Sequence, residues 1–160
     1  MTAANDDLRN LMDVAASLRP RFANEKALPR LLFVTDPVRT PDPVSIASRL
    51  PEGCGVIYRA FGAPDALATA LTLRAIAAER GLKLLIGADA DLARACEADG
   101  LHLPERALDE APGVRDRHPD WILTAAAHSL DPVQRAAAGG CDAAIVSKLF
   151  SSRSHSPGDA

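Results

Sequence analysis

The sequence predicts an α/β fold: a TIM-type (β/α) barrel with about six of its eight βα units present, preceded by an extra N-terminal helix. Three observations predict it. Short apolar runs alternate with helical patterns six times along the 160 residues, as parallel strands joined by crossover helices require. The runs are continuous rather than alternating, which suits strands covered on both faces. The stretch VTDPVRTPDP after the first run holds no glycine, so the phosphate turn that usually opens a doubly wound nucleotide-binding sheet is missing.

Each element has its own signal. Leu8, Leu11, Met12 and Ala15 recur at helical spacing behind the capping candidates Asp6 and Asp7, and Pro20 closes the run, which predicts a helix over 7–19 within an N-terminal extension, 1–29. LLFVT (31–35) is a strand stopped by Asp36-Pro37. Further strands are expected at 55–59, 82–86, 100–103, 121–125 and 143–147. Between them, residues 65–80 place Ala70, Leu73, Ile76 and Ala77 on one helical face and end at Gly81. Asp91 is the expected cap of a short helix over 92–97, and Asp131 the cap of one that carries Pro132 in its first turn and ends at Gly139. Residues 150–160 are rich in small polar side chains and read as a flexible loop or tail, so 1–160 is one partial barrel domain.

Composition excludes several function classes. The net charge of −3 supplies no basic field for nucleic acid. Cys54, Cys96 and Cys141 are odd in number and far apart, which suggests neither a disulfide framework nor a zinc knuckle. The N-terminus has acids in place of a basic segment with an apolar run behind it, and no apolar stretch reaches membrane-spanning length, so a cytoplasmic location is expected.

In a barrel, polar residues at the C-terminal ends of strands converge on one mouth, and this singles out a few side chains. Strand alternation points His102 inward while Leu101 and Leu103 meet the helices. There it is either an acid–base or orienting group or a histidine satisfied inside the barrel. Arg59 is either a phosphate ligand or the partner of a structural ion pair to Asp36. His128, after the fifth strand, is either a proton-transfer group or a helper at a helix start where Ser129 and Asp131 look like caps. Glu105 and Asp89 are weak metal or base candidates; for Glu105 the alternative is a solvated loop carboxylate. Ser151, Ser152 and His155 make either an anion-binding lid or part of the tail.

The stretches LLFVTDP, GVIYRAFG, LLIGADADLARACEADGLHLPE, AAHS and GGCDAAIVSKLFSSRS resemble, in order, the signature segments of the thiamine-phosphate synthase and thiazole tautomerase family, from about residue 30 to 155. EADGLHL is the nearest match. The resemblance implies a TIM barrel of thiamine biosynthesis whose synthase members join a hydroxymethylpyrimidine diphosphate to a thiazole phosphate with Mg²⁺, releasing pyrophosphate. Its tautomerase members use the histidine matching His128 as an acid–base group without metal. Departures are local. Of the family's second-strand Gln-x-Arg-x-Lys only Arg59 stands here; Ala88 occupies the position of the metal-binding aspartate, and Arg106 or Ala107 that of the second carboxylate. Pro104-Glu105 replaces a Gly-Gln pair, and Ser151-Ser152-Arg153-Ser154-His155 replaces a phosphate-contacting Pro-Thr-x-Thr-Lys.

The expected function is therefore a thiamine-phosphate synthase-like transferase. A metal-independent thiazole tautomerase using His128 and a non-catalytic ligand-binding relative are the alternatives. His128 and His102 are the expected catalytic groups, and Arg59, Ser151, Ser152, His155 and Glu105 the expected substrate or phosphate ligands. Expected partners are small phosphorylated heterocycles, with neither nucleic acid nor membrane. Two further βα units, on the order of 45 residues, would complete a barrel. Either the chain is part of a longer protein or six units leave an open edge, which predicts a homo-oligomer.

Overall fold

Six parallel strands pair strictly in chain order in the computed structural model, which describes residues 3–17 and 28–147. The elements are α1 (Ala3–Ser17), β1 (Leu32–Val34), α2 (Pro43–Ala47), β2 (Gly55–Tyr58), α3 (Ala66–Arg80), β3 (Lys83–Gly87), α4 (Ala90–Ala95), β4 (Gly100–Leu103), a 3₁₀ turn (Glu105–Glu110), α5 (Ala111–Arg117), β5 (Ile122–Ala127), α6 (Leu130–Ala138) and β6 (Ala143–Val146). This is a six-stranded part of a TIM-like barrel with an extra N-terminal helix. Among the described residues no helix is long and apolar enough to cross a membrane.

Alternation along the strands builds two apolar layers. Val56, Tyr58, Leu84, Ile86, Leu101, Leu103, Leu123 and Ala125 face the helices and pack with Ala70, Leu73, Ala77, Leu92, Leu108, Val114 and Ala136. Ile57, Leu85 and Ile122 form a smaller inner cluster with Leu28, Leu32 and Ile145. Leu101 and Leu103 thus lie on the helix side, and His102 on the inner side with Ile57 and Leu85.

Two aspartates fasten the N-terminal ends of the strands. Asp99 accepts the Leu84 N–H at 2.9 Å and pairs with Lys83 Nζ at 2.9 Å. Asp142 accepts the Leu123 N–H at 2.8 Å and pairs with Arg115 Nη2 at 2.7 Å. The ADG and CDA steps of the sequence are therefore structural clasps that satisfy the amide of the second residue of a neighbouring strand. Gly100 is required by close approach: a Cβ there would overlap the Ile122 carbonyl oxygen. Gly81 ends α3 in the left-handed conformation at φ 65°, as the sequence predicts.

Several boundaries differ from the sequence reading. α1 begins at Ala3, so Asp6 and Asp7 lie inside it and are not caps. Met12 and Ala15 turn inward, whereas Leu11 is 52% exposed. Asp89, and not Asp91, caps α4, accepting the Leu92 N–H at 2.8 Å; Asp91 instead pairs with Arg94. Ser129 is the N-cap residue of α6, with Asp131 inside the first turn. For α4 an aspartate two residues away fits the same composition, and it is Asp89 whose side chain reaches back to the helix amide. Pro20 and residues 150–160, with Ser151, Ser152 and His155, lie outside the described residues.

Candidate functional site

Register places Arg59, Gly87, His102 and Thr124 in one row just above the inner apolar cluster. Ile57 is level with Leu85, Gly87 with His102, and His102 with Thr124. Along β2 and β5 the inner face changes from aliphatic to polar within two residues, from Ile57 to Arg59 and from Ile122 to Thr124. Gly87 leaves room for Arg59 to lie across it, since a Cβ there would meet Arg59 Cγ at 3.0 Å.

His102 is enclosed. Its Nδ1 lies 2.9 Å from Thr124 Oγ1, and Thr124 is itself 4% exposed. Burial, with a smaller push from the Arg59 charge, lowers the imidazole from 6.5 to about 4. A pKa lowered this far leaves the ring uncharged at neutral pH and available as a hydrogen-bonding group. Thr124 was not singled out by sequence reasoning. Its signal was a lone hydroxyl in the apolar run WILTAAA, and only the strand register shows that it meets His102.

Arg59 takes the ion-pair alternative. Its Nη2 is 3.1 Å from Asp36 Oδ2, its Nε donates to the Thr35 carbonyl at 2.8 Å, and its Cζ lies 4.9 Å from the centre of the exposed Phe61 ring. Asp36 is held in turn by the amides of Arg39 and Val38, each at 3.0 Å. The Arg39 amide is the largest influence keeping the Asp36 carboxyl below its ordinary range, opposed by burial and assisted by the Val38 amide and Arg59. A cleft of about 210 Å³ opens beside this pair, lined by residues that include Thr35, Thr40, Tyr58 and Asp65. Neither histidine lines it.

His128 belongs to a different level, four residues beyond Thr124 along β5, about 13 Å at the usual rise per residue. Its backbone N–H donates to Glu105 Oε2 at 2.7 Å, and its Nδ1 lies 2.5 Å from the Ser147 carbonyl oxygen. A carbonyl only accepts, so this contact places a proton on Nδ1, with the Ser147 hydroxyl 3.4 Å from the same nitrogen. Glu105 is thus partly buried, with one carboxylate oxygen engaged by a backbone amide. The structure brings Arg59 and His102 into one row and joins Glu105 to His128, but it does not join the two groups.

Two residues at this end hold left-handed backbone without being glycine: Phe61 at φ 48° and Ala88 at φ 64°. The Ala88 N–H donates to the His102 carbonyl at 2.9 Å, which fixes the end of β3 against β4. Such conformations cluster at functional ends of folds. The donors do not suit a divalent cation. Ala88 offers a methyl group, and Asp89 and Glu105 each give one carboxylate oxygen to a backbone amide, that of Leu92 and of His128. Among the described residues no three His, Cys, Asp or Glu side chains converge for a metal.

Residues 31–159 match the family model described as thiamine monophosphate synthase. Over 84 residues the chain is 38% identical to an Aquifex aeolicus protein named for the same activity, covering 52% of this chain and 44% of that one. It is 30% identical over 108 residues to the thiamine-phosphate synthase of Bacillus velezensis, covering 63% of this chain and 48% of that one. The chain thus spans about half the length of these relatives. Among solved structures, thiamine phosphate pyrophosphorylase from Pyrococcus furiosus superposes with a TM-score of 0.65 at 24% identity, over 75% of this chain and 60% of that one. At that identity the likeness speaks for the fold.

Proposed function

Because the chain belongs to the thiamine monophosphate synthase family, we propose that it binds a phosphorylated heterocycle of thiamine synthesis and moves a proton on it at His128, without a metal. The observation that carries this reading is the ring orientation of His128: Nδ1 is tied to the Ser147 carbonyl, which leaves Nε2 as a base at an exposed strand end. The resemblance supplies the substrate class, a thiazole phosphate bearing a carboxylate. The neutral His102 and Thr124 supply a hydrogen-bonding row for an uncharged ring edge. Arg59 supplies positive charge once an anion competes with Asp36 for it.

The second reading is the synthase reaction, favoured by the name carried by the Bacillus velezensis relative. It requires handling a leaving pyrophosphate, which a metal and cations normally stabilise. The expected metal positions hold Ala88 and Arg106 or Ala107, and among the described residues no three His, Cys, Asp or Glu side chains converge, so the side chains at those positions do not fit a bound Mg²⁺.

Turnover of carboxythiazole phosphate and condensation of thiazole phosphate with hydroxymethylpyrimidine diphosphate, each measured with Mg²⁺ and with a chelator, separate the readings. Metal-independent turnover of the first is expected. Mg²⁺-dependent condensation as the sole activity would establish the synthase. Thermal stabilisation by either ligand without turnover would establish a binding protein.

A further inference from the structure

Glu105 is held where a carboxylate has no obvious reason to be. Pro104, extended at φ −67° and ψ 154°, ends β4 and turns the chain into the 3₁₀ segment, whose Leu108 is anchored in the helix-side core. This sends the Glu105 side chain sideways across the sheet to the end of β5, where Oε2 accepts the His128 N–H at 2.7 Å. On the other flank Ser147 closes on the same point from β6. Its N–H donates to the Ala127 carbonyl at 3.0 Å, and its own carbonyl receives His128 Nδ1. The backbone of His128 is therefore gripped from β4 while its ring is gripped from β6.

We propose that Glu105 is a positioning residue that fixes the ring tautomer of His128 by locking the β5–α6 turn. The amide has no ladder partner beyond Ala127, and Ser129, the N-cap residue of α6, makes no side-chain cap bond. With the carboxylate in place the turn is fixed and the ring meets the Ser147 carbonyl, which demands a proton on Nδ1 and leaves Nε2 basic. Without it the turn rotates, that bond lapses, and the proton redistributes between the two nitrogens. The proposal rests on the reading of His128 as the proton-transfer group for its functional meaning, but its structural content stands on these contacts alone.

Ring-nitrogen NMR of His128 in the whole chain at neutral pH, with amide exchange of the same residue, tests it. The wild type is expected to carry the proton on Nδ1. Glu105→Ala is expected to move a large share of it to Nε2 and to speed His128 amide exchange by about tenfold or more. Glu105→Met, which fills the space with no acceptor, should do the same, and Glu105→Gln, which still accepts through Oε1, should restore the wild-type spectrum. A wild-type proton on Nε2, or alanine and methionine variants with wild-type tautomer and exchange, overturns the proposal. So does a glutamine variant that behaves like alanine. If turnover survives His128→Ala while the tautomer result holds, the functional reading falls and the positioning role stands.

Discussion

His102 shows how a single side chain can be legible in place while its protonation state is not. Alternation in GLHL is enough to put it opposite Leu101 and Leu103, and the structure puts it there. Its state depends on enclosure, which a linear sequence does not display, and burial takes it to about 4. The folded value lies below the unfolded one near 6.5, so the unfolded chain binds the extra proton between them. Stability is fully present above about pH 6.5 and declines toward pH 4, by on the order of 3 kcal/mol if His102 acts alone. Thermal melts from pH 7.5 to 4 on the wild type and His102→Asn should show a steeper acid loss in the wild type. Parallel curves would mean that His102 is not the group responsible. Arg59 was equally visible as a strand-end cation, with its Asp36 partner close by in space and 23 residues away in sequence. At Ala88, glycine relieves a left-handed φ that costs a residue with a Cβ about 1 kcal/mol, so Ala88→Gly is expected to raise stability by up to that amount in chemical denaturation.

At the scale of elements, apolar runs and glycine stops located all six strands and the long helix α3, because buried strands and a left-handed helix end have strong local signatures. Caps were less legible. GADADLARA offers two aspartates two residues apart, and it is Asp89, in extended conformation just before the helix, that reaches the Leu92 amide. The clasps were invisible as such, since a carboxylate reaching a neighbouring strand's amide leaves no periodic trace. Asp142→Ala leaves the Leu123 amide and the Arg115 guanidinium without that carboxylate, and is expected to cost about 3 kcal/mol in denaturant unfolding, with Asp99→Ala similar. Gly100→Ala should be worse, because a methyl group overlapping a strand carbonyl forces β4 and β5 apart; failure to accumulate folded protein is the expected result. A Gly100→Ala protein as stable as wild type would mean that the β4–β5 spacing is looser than described.

For the whole molecule, six strands in chain order, a helix-facing core and a polar row above an apolar inner layer account for what a TIM-like sheet presents at its C-terminal edge. The family was legible from segment order, and the match over residues 31–159 agrees with it. The chemistry was less so, because the contacts of His128, Glu105 and Asp89 appear only in the fold. Proton transfer at His128 is the central claim. The direct measurement is the rate of carboxythiazole phosphate tautomerisation in excess chelator, for the wild type and His128→Ala, with melting temperatures taken alongside. The account predicts chelator-insensitive turnover that falls by on the order of 10² to 10⁴ in the variant at nearly unchanged melting temperature. Wild-type turnover in His128→Ala, or activity that vanishes with the chelator and returns with Mg²⁺, would contradict it.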